Sequence, residues 1–596
     1  MQILSYLIPG LIIGIINVLL FKYSSKFKKI LSLLYISVGI NIISLFVLTF
    51  IFKKESLFSS DRYNISFTLK YILATLLLGA LFIALKYLII KKTTKTAVEK
   101  LTVVTRVLIV VAIIFSIIGM VLYFGTNLLI GIFGKVAPEQ FIFNLKSPMV
   151  GTATDTVAIP LEKPILGIIG FLIPFIFLLS RKYNLLSNNK KVFSYKLSRR
   201  FMYLVSLIIL VGGAFYTFKE LDLISVYRAN FNQSNYIQDN FVDPENIKLT
   251  FPQKKRNLIH IYLESYENSY FSKELGGNMD ENLMPKLEIL TKEGVSFSNN
   301  DLMGGPYQTY GSSWSVASMV NMSTGLPLKV STDRNTYGLD GYFLPGATTI
   351  GDILKKEGYE QTIMFGADAD FGGLTAFFTT HGDFNIFDVK YARKKGLIPE
   401  KYNVWWGFED NKLYDFAKEE ITRLSKTGKP FNFVMENADT HFPDGYLEKE
   451  APTPYKSQYA NVIAHSQSQV YDFVRWIQKQ PFYENTTIVL TGDHLSMDKN
   501  FFKDFDPDYH RTVTNVILNP ILPKHEVKTQ FRDFAPFDMF PTVLSSIGVE
   551  IEGDKLGLGT NLFSKEKTIL EEDGFKKFEE ELSKKSIFYD KKFLEK

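Results

Sequence analysis

The sequence contains no cysteine, and this absence excludes several kinds of chemistry. A protein without cysteine forms no disulfide, holds no metal ion through thiolates and uses no cysteine nucleophile. The absence is compatible with either side of a bacterial membrane, so cysteine usage does not decide the compartment. An excess of one charge is also missing, because 67 Lys and Arg stand against 61 Asp and Glu and leave a net charge of +6. That small excess argues against a dedicated nucleic-acid binder.

Hydrophobic residues, in contrast, make up 46% of the sequence, and 51 of the 596 residues are Phe. A chain of this length is too long for one ordinary core and is expected to form several domains. Several apolar segments approach or exceed the length that crosses a bilayer, which is about 20 residues. None has a row of Asp, Glu or His at its centre, so a transporter is disfavoured and a membrane anchor is expected. The segments are residues 3–20, 31–52, 71–90, 107–123, 165–179 and 201–218.

The loops between these segments predict the orientation of the anchor. The loops after the first, third and fifth segments are rich in Lys and Arg, most of all the loop at 181–200. The loops at 53–69 and 125–163 are longer and much less basic. Under the positive-inside rule the basic loops are cytoplasmic. The prediction is six crossings, or five if the first or fifth segment only dips into the membrane, with the remainder of the chain on the periplasmic or extracellular side of a bacterial cytoplasmic membrane.

From residue 257 onward, short apolar runs alternate with amphipathic stretches. The runs at 362–366, 431–436 and 487–491 are predicted strands, and the stretches at 410–424 and 460–478 are predicted helices. Alternation of strands and helices predicts an α/β domain with a mostly parallel central sheet.

The predicted order of domains follows from these changes in composition. The polar and aromatic stretch before residue 257 is typical of a juxtamembrane connector. The last residues are rich in Lys and Glu, and we expect a solvated helix or tail there. The domains are a transmembrane domain at 1–218, a linker at 219–256, a catalytic domain at 257–563 and a charged tail at 564–596.

Polar side chains follow two of the predicted buried strands. Glu264 comes directly after the apolar run that starts at Asn257, and Asp493 and His494 come directly after the run at 487–491. Ligands of doubly wound folds bind just beyond the carboxyl ends of such strands. A hydroxyl-rich turn that ends at Ser315 lies between them in sequence. Carboxylate, imidazole and hydroxyl groups together indicate a divalent cation that activates a serine nucleophile.

Each of these signals has an ordinary structural explanation when it stands alone. A lone Glu at the end of a strand most often caps a helix or pairs with a Lys. An Asp-His pair after a strand often only begins a turn. Glu264, Ser315 and the Asp493-His494 pair carry the hypothesis of a site only in combination.

The same residues, in this order, resemble the alkaline-phosphatase and sulfatase superfamily. More narrowly, the chain is similar to the membrane phosphoglycerol transferases, which include lipoteichoic acid synthase and the enzyme that decorates periplasmic glucans. The resemblance covers both halves of the chain: a multi-span membrane anchor, and then a sulfatase-like domain at about residues 257–562. The segments that carry it include 261–265, 283–285, 292–294, 310–327, 406–410, 439–443, 491–494, 537–542 and 557–559.

The resemblance implies a two-step transfer of sn-glycerol 1-phosphate. A hydroxyl nucleophile attacks phosphatidylglycerol and releases diacylglycerol, and the covalent intermediate then passes its group to a glycan or polyglycerophosphate acceptor of the cell envelope. The family nucleophile is usually Thr, and Ser315 stands at the matching position, with Ser312 and Ser313 as close neighbours.

The resemblance also implies roles for further residues. Glu264, Ser315, Asp493 and His494 match metal ligands, and Mn²⁺ is the favoured ion, with Mg²⁺ and Zn²⁺ as alternatives. The expected substrate-binding residues are His441, Trp406 and Arg511. His441 would contact the phosphate or the leaving oxygen, and Arg511 would bind phosphate through its planar guanidinium.

Three alternatives remain open. A phosphoethanolamine transferase usually carries disulfides in its external domain, and this chain has none. A sulfatase normally needs Pro and Arg shortly after its nucleophile, and the stretch after Ser315 has neither. A non-catalytic membrane scaffold would have lost a metal ligand, whereas all the matching positions hold competent residues.

Overall fold

The computed structural model describes residues 2–52, 65–96, 101–133, 138–148, 154–181, 184–331 and 337–595. The chain divides into two compact units, each with its own internal packing. The first unit is Met1–Phe133 with Thr154–Leu221, and the second is Gly134–Ala153 with Asp222–Lys596.

Long apolar helices build the first unit. Four of the described helices are long and apolar enough to cross a membrane, namely Lys26–Ile51, Ile65–Lys92, Val103–Ile130 and Tyr195–Glu220. The apolar helices at Tyr6–Leu20 and Lys163–Leu179 are shorter, and they are the first and fifth of the predicted crossings. The helices in this part of the chain are α1 (Gln2–Leu20), α2 (Lys26–Phe46), α3 (Ile65–Lys92), α4 (Val103–Phe133), α5 (Pro138–Lys146), α6 (Thr154–Leu179) and α7 (Tyr195–Glu220).

A small antiparallel sheet joins two of the basic loops of the first unit. Its strands are β1 (Thr94–Thr96), β2 (Asn184–Ser187) and β3 (Lys190–Phe193), with β2 in the middle. The turn between β2 and β3 consists of Asn188 and Asn189, whose φ angles are +47° and +60°. Asn tolerates this left-handed conformation, which is typical of a two-residue hairpin.

Alternating strands and helices build the second unit, so the predicted α/β class is confirmed. Its strands are β4 (Leu249–Thr250), β5 (Asn257–Leu263), β6 (Glu360–Phe365), β7 (Asn385–Phe387), β8 (Phe431–Glu436), β9 (Thr486–Gly492), β10 (Asn515–Leu518), β11 (Glu550–Ile551), β12 (Lys555–Leu556) and β13 (Gly559–Thr560). Its helices, besides α5, are α8 (Leu223–Phe231), α9 (Tyr236–Asn240), α10 (Pro285–Glu293), α11 (Ser315–Thr324), α12 (Ile350–Lys356), α13 (Leu374–Thr380), α14 (Val389–Lys394), α15 (Asp410–Ser425), α16 (Gln458–Gln478), α17 (Met539–Ser546), α18 (Ile569–Asp573), α19 (Phe575–Ser583) and α20 (Ile587–Phe593).

The central sheet has six strands in the order β10-β9-β5-β8-β6-β7. β5 pairs in parallel with both β8 and β9, and β6 pairs in parallel with β7 and β8. Only the pairing of the edge strand β10 with β9 is antiparallel within this sheet. The carboxyl ends of β5, β8 and β9 therefore lie side by side at one edge of the sheet.

Apolar layers cover both faces of the sheet, as the uninterrupted apolar runs predict. In β5, Leu258 and Tyr262 pack into one buried cluster, whereas Ile259, Ile261 and Leu263 pack into the other. This alternation fixes the register of the strand, because a shift by one residue would exchange the two faces.

The segment at 564–596, which we expected to be a solvated helix or tail, is helical, but its helices pack into the folded unit. It forms α18, α19 and α20, and Phe578, Leu582, Tyr589 and Phe593 are at most 1% exposed. These side chains recur at intervals of four residues and so form the apolar face of each helix. The prediction was wrong because it weighed the charged residues of the outer face and not this spacing.

The segment at 219–256, expected to be a connector, contains α8, α9 and β4. β4 pairs with β11 in antiparallel fashion, at Leu249 with Ile551 and Thr250 with Glu550. The last part of this segment therefore belongs to the packed second unit.

Candidate metal and nucleophile site

Glu264 follows the last residue of β5, in the middle of the sheet. Its neighbour Ser265 adopts a left-handed conformation with φ of +58°, which is uncommon for a residue with a side chain. The turn lets the Ser265 hydroxyl donate to Glu264 Oε1 at 2.6 Å, while the Ser265 amide donates to Asp493 Oδ1 at 2.7 Å. Asn437 accepts a hydrogen bond from the Glu264 amide through Oδ1 at 3.0 Å. The turn thus ties the ends of three strands together.

Asp493 and His494 follow the last residue of β9, beside Glu264. Both are 1% exposed. Asp493 Oδ1 accepts the His494 amide at 2.7 Å, and His494 Nδ1 lies 2.9 Å from the carbonyl oxygen of Leu495. A carbonyl only accepts, so Nδ1 carries a proton, and Nε2 is the ring nitrogen that faces the site.

Ser315 is the first residue of α11 and comes after Trp314, which has extended backbone geometry. Ser315 therefore lies at the amino end of α11, where the free backbone amides of a helix favour anions. Ser318, one turn later, donates from its hydroxyl to the backbone carbonyl of Asp493. That contact holds the start of α11 against the end of β9.

The side chains of Glu264, Ser315, Asp493 and His494 meet in one place. The Ser315 hydroxyl donates to Glu264 Oε2 at 3.0 Å and lies 3.4 Å from His494 Nε2. His494 Nε2 is 3.6 Å from Glu264 Oε1 and 3.4 Å from Asp493 Oδ2. The structure therefore brings together the four residues that the sequence proposes as metal ligands.

Burial and charge act on these acids in opposite directions. Burial would raise the pKa of Glu264, but the nearby His494 and His441 and the Ser265 hydroxyl hold this pKa below its ordinary value. Burial raises the pKa of Asp493 well above its ordinary value, and repulsion from Glu264 adds to the increase. The described side chains thus compensate the charge of Glu264 but not that of Asp493.

The arrangement suits a metal ion. Glu264, Asp493 and His494 each offer one ligand atom, and these atoms all lie within 4.8 Å of one another. Asp493 Oδ2 is buried and accepts no hydrogen bond within the described structure. Buried polar atoms are nearly always paired, so this oxygen is suited to a cation. Two carboxylates, an imidazole and a hydroxyl form a mixed oxygen and nitrogen set that Mn²⁺, Mg²⁺ and Zn²⁺ all accept.

Glu436, which the sequence analysis missed, is a third acidic side chain beside Ser315. It ends β8 and stands in register with Tyr262 of β5. Its Oε1 is buried without a hydrogen-bond partner among the described residues. Burial raises its pKa well above the ordinary value, repulsion from Asp493 and Glu264 raises it further, and a contact with the Ser315 hydroxyl opposes the increase. The signal was available, because Glu436 ends an apolar run as Glu264 does.

His441 and Trp406, two predicted substrate-binding residues, lie together next to this site. Their rings contact edge to face at 4.8 Å. His441 Nδ1 donates to the carbonyl of Phe442 at 2.6 Å, which leaves Nε2 available. Burial lowers the pKa of His441, and the charge of Glu264 partly opposes that effect. Glu264 and His494 are thus close enough to His441 to change its pKa electrostatically.

Arg511, the third predicted substrate-binding residue, has a different arrangement. Its Nε donates to Glu267 at 2.7 Å, and its Nη2 donates both to Glu267 and to the carbonyl of Ser496. Glu267 is fully buried. Because a buried carboxylate needs a partner of opposite charge, most of the guanidinium fork is committed to holding the segment after His494.

The part of the chain that contains this site is similar to known proteins. Residues 256–549 match the family model described as Sulfatase, which confirms the sulfatase-like domain expected from the motifs. A curated protein named phosphoglycerol transferase I, from Xanthomonas campestris pv. campestris (strain B100), is 35% identical over 252 residues, which cover 41% of this chain and 34% of that protein. A protein of the same name from Salmonella choleraesuis (strain SC-B67) is 30% identical over 322 residues, which cover 53% of this chain and 40% of that protein.

These alignments therefore span two fifths or less of each relative's length. Among solved structures, the lipoteichoic acid synthase LtaP from Listeria monocytogenes is 18% identical, with 55% of this chain and 81% of that chain covered and a TM-score of 0.42.

Proposed function

We propose that this chain, which carries a domain of the sulfatase family at residues 256–549, is a metal-dependent phosphoglycerol transferase. It would move glycerol phosphate from phosphatidylglycerol to a hydroxyl of a cell-envelope glycan or of a growing polyglycerophosphate. The contact of the Ser315 hydroxyl with Glu264 at 3.0 Å and with His494 Nε2 at 3.4 Å carries the proposal. The names of the two relatives support the choice of the transferred group.

In the first step, the Ser315 oxygen attacks the phosphorus of the lipid. A bond forms between Ser315 and the phosphorus, the bond to the diacylglycerol oxygen breaks, and diacylglycerol leaves with a proton. Glu264 accepts a hydrogen bond from the Ser315 hydroxyl and orients its oxygen. The amides at the start of α11 stabilise the negative phosphate oxygens.

In the second step, the acceptor hydroxyl attacks the same phosphorus. The bond between phosphorus and the Ser315 oxygen breaks, glycerol phosphate is now joined to the acceptor, and Ser315 regains a proton. Because the Nδ1 proton of His441 is held by the Phe442 carbonyl, Nε2 is the ring atom that exchanges protons with the leaving and attacking oxygens.

Glu264, Asp493, His494 and Ser315 would hold the metal ion. A divalent cation bound there lowers the pKa of the Ser315 hydroxyl and neutralises phosphate charge. We propose Mn²⁺, because the ligand set is rich in oxygen and the chain has no thiolate to favour Zn²⁺.

We place the catalytic domain on the outer side of the cytoplasmic membrane. The strongly basic loop at 181–200 supports this orientation. The folding of α5 with the second unit also supports it, because α5 lies in the weakly basic loop that the charge pattern assigns to the outside.

The test is release of diacylglycerol from fluorescent phosphatidylglycerol by the purified full-length protein with Mn²⁺. The wild type should release it and form a glycerophosphoryl adduct on Ser315 that mass spectrometry detects. Ser315→Ala should abolish both, whereas Ser313→Ala, two residues away, should retain both.

A folded, metal-loaded wild type that releases no diacylglycerol would refute the donor. Release from phosphatidylethanolamine instead would identify the alternative phosphoethanolamine transferase. Full activity of Ser315→Ala with an adduct on Ser313 would identify Ser313, and not Ser315, as the nucleophile.

A further inference from the structure

The helix α5 belongs by sequence to a loop between two long apolar helices, but it folds within the second unit. The residues that follow it also contact that unit, because the Pro148 carbonyl accepts the Gly372 amide at 3.1 Å. Gly372 in turn packs against Val316 of α11. The loop at α5 is therefore an integral part of the domain that contains Ser315.

Phe143 of α5 packs against the residue that precedes the nucleophile. Its side chain is 1% exposed. Its ring centroid lies 5.5 Å from that of Trp314, 6.0 Å from that of Tyr337 and 6.2 Å from that of Phe343. Trp314 is the capping residue of α11, so its position sets where the helix begins and where the Ser315 hydroxyl points.

Glu139 of α5 holds the turn just before Trp314. It is 9% exposed; burial raises its pKa, and the nearby backbone amide of Gly311 opposes the increase. Gly311 has φ of +73°, and a Cβ added to it would come within 2.8 Å of the Leu328 amide. The Gly311 carbonyl accepts Asn321 Nδ2 at 2.6 Å. The carbonyl side of this turn is thus held by α11, and its amide side lies near the Glu139 carboxyl of α5.

A buried lysine provides the positive charge for Glu139. Lys329 is 6% exposed and attracts Glu139 electrostatically. Its Nζ donates to the Leu582 carbonyl at 2.5 Å and lies 4.4 Å from the centroid of the Tyr310 ring. Glu139 therefore belongs to a network that fixes the turn from residue 310 to residue 314, and not to a solvated surface.

We infer that α5 is a positioning element for the nucleophile, and that Phe143 and Glu139 hold the turn that aims the Ser315 hydroxyl at Glu264 and His494. The inference rests on the proposed function for its kinetic consequence. It gives the loop between α4 and α6 a role beyond connecting membrane segments. Neither residue touches the reacting atoms, so both act through the turn.

Misplacing a nucleophile by about 1 Å costs up to about 100-fold in rate. Phe143→Ala should therefore lower the rate constant for forming the Ser315 adduct by about tenfold to 100-fold. The KM for the lipid and the Kd for Mn²⁺ should change much less than this rate constant, since three of the four proposed metal ligands, Glu264, Asp493 and His494, follow strand ends and not α11. Phe143→Leu refills most of the space and should restore most of the rate.

Glu139→Gln tests the second contact. The substitution keeps the size of the side chain but removes its attraction to Lys329, so a smaller decrease in the same rate constant is expected. The matched control is Phe297→Ala, because Phe297 is fully buried in the same cluster and packs on Phe534 and Phe563. It should lower the thermal midpoint without changing the rate per folded molecule.

Hydrogen exchange of the turn separates this inference from the proposed function. Amides at 309–318 should exchange faster in Phe143→Ala than in wild type, and they should be unchanged in Phe297→Ala. An unchanged exchange rate at 309–318, or a loss of stability with an unchanged adduct rate, would overturn the inference. A wild type that forms no adduct would refute the proposed function, while the exchange result would still decide whether α5 holds the turn.

Discussion

The two units of this protein place polar and apolar side chains in opposite ways. In the first unit, large apolar side chains are exposed along the helices, as for Leu19 at 74%, Val103 at 76% and Leu204 at 54%. In the second unit, charged side chains are buried, as for Glu264, Asp493 and His494 at 1–2%.

The difference shows which unit can be predicted from amino-acid composition and which unit depends on the tertiary fold. Exposed apolar helices suit lipid, and their composition alone predicts them. Buried charge is tolerated only when distant residues or a metal ion compensate for it, so the function of the second unit depends on the tertiary fold.

The absence of cysteine allows an all-or-none test of the side of the membrane on which each unit lies, because an introduced cysteine is then the only one in the chain. Single cysteines at the exposed positions Lys190 of the first unit and Lys456 of the second should lie on opposite sides of the membrane. A membrane-impermeant maleimide should label Lys456→Cys in spheroplasts, and it should label Lys190→Cys only after permeabilisation. Labelling of Lys190→Cys in intact spheroplasts would contradict the proposed orientation.

A large effect on stability should separate buried from exposed positions of the second unit. Phe578→Ala removes a ring that is 1% exposed and should destabilise the protein by about 3–5 kcal/mol. Phe575→Ala, on the same helix but 37% exposed, is the control and should cost much less. Thermal unfolding of the detergent-solubilised protein measures both. Equal, small shifts of the unfolding temperature in both variants would instead support a solvated segment at 564–596.

Removal of one metal ligand should have the next largest effect. Asp493→Asn keeps the size of the side chain but removes its charge, and it should weaken Mn²⁺ binding by about 100-fold or more, since residues outside the ligand sphere already contribute about 10-fold to 100-fold. Calorimetric titration of metal-free protein measures the change. Asp538→Asn is the control, because Asp538 is a buried acid that accepts amides of Ala535 and Thr560. Similar Mn²⁺ affinity in all three proteins would rule out this site.

A smaller effect is expected from Glu436→Gln. A cation bound beside Ser315 would favour the ionised form of Glu436 against the burial that raises its pKa. The substitution keeps the shape but removes that negative charge, and it should weaken Mn²⁺ binding by about tenfold through lost attraction. The same titration checks it, and Glu420→Gln, a buried acid on α15 that accepts the Thr362 hydroxyl, is the control. An unchanged affinity for Glu436→Gln would show that Glu436 carries no charge when the metal is bound.

Much of the fold could be predicted because local patterns determine it. The predicted strand at 431–436 matches β8 residue for residue, and the predicted helix at 410–424 differs from α15 by one residue. Continuous apolar runs and helical periodicity are properties of neighbouring residues, so they can be recognised without knowledge of the fold. The apolar face of α19 was missed because the prediction considered the many charged residues of this segment and not the four-residue spacing of its apolar side chains.

Contacts between distant residues could be predicted only in part. Glu264, Asp493 and His494 were recognised because they follow strands, and Ser315 was recognised because it ends a hydroxyl-rich turn; the resemblance to a family supported all four. Glu436 follows the same rule but was overlooked. Nothing in the sequence shows that Arg511 pairs with Glu267, or that Phe143 packs on Trp314, because neither pair has a local pattern.

The sequence by itself determined the apolar helices of the first unit and the alternating strands and helices of the second, since both follow from the periodicity of side chains along the chain. Only the tertiary structure decided that β5, β8 and β9 end side by side, and therefore that three acids, a histidine and a serine share one buried space. The physical reason is that charge becomes chemically useful where water is excluded, and only the packing of distant segments excludes it.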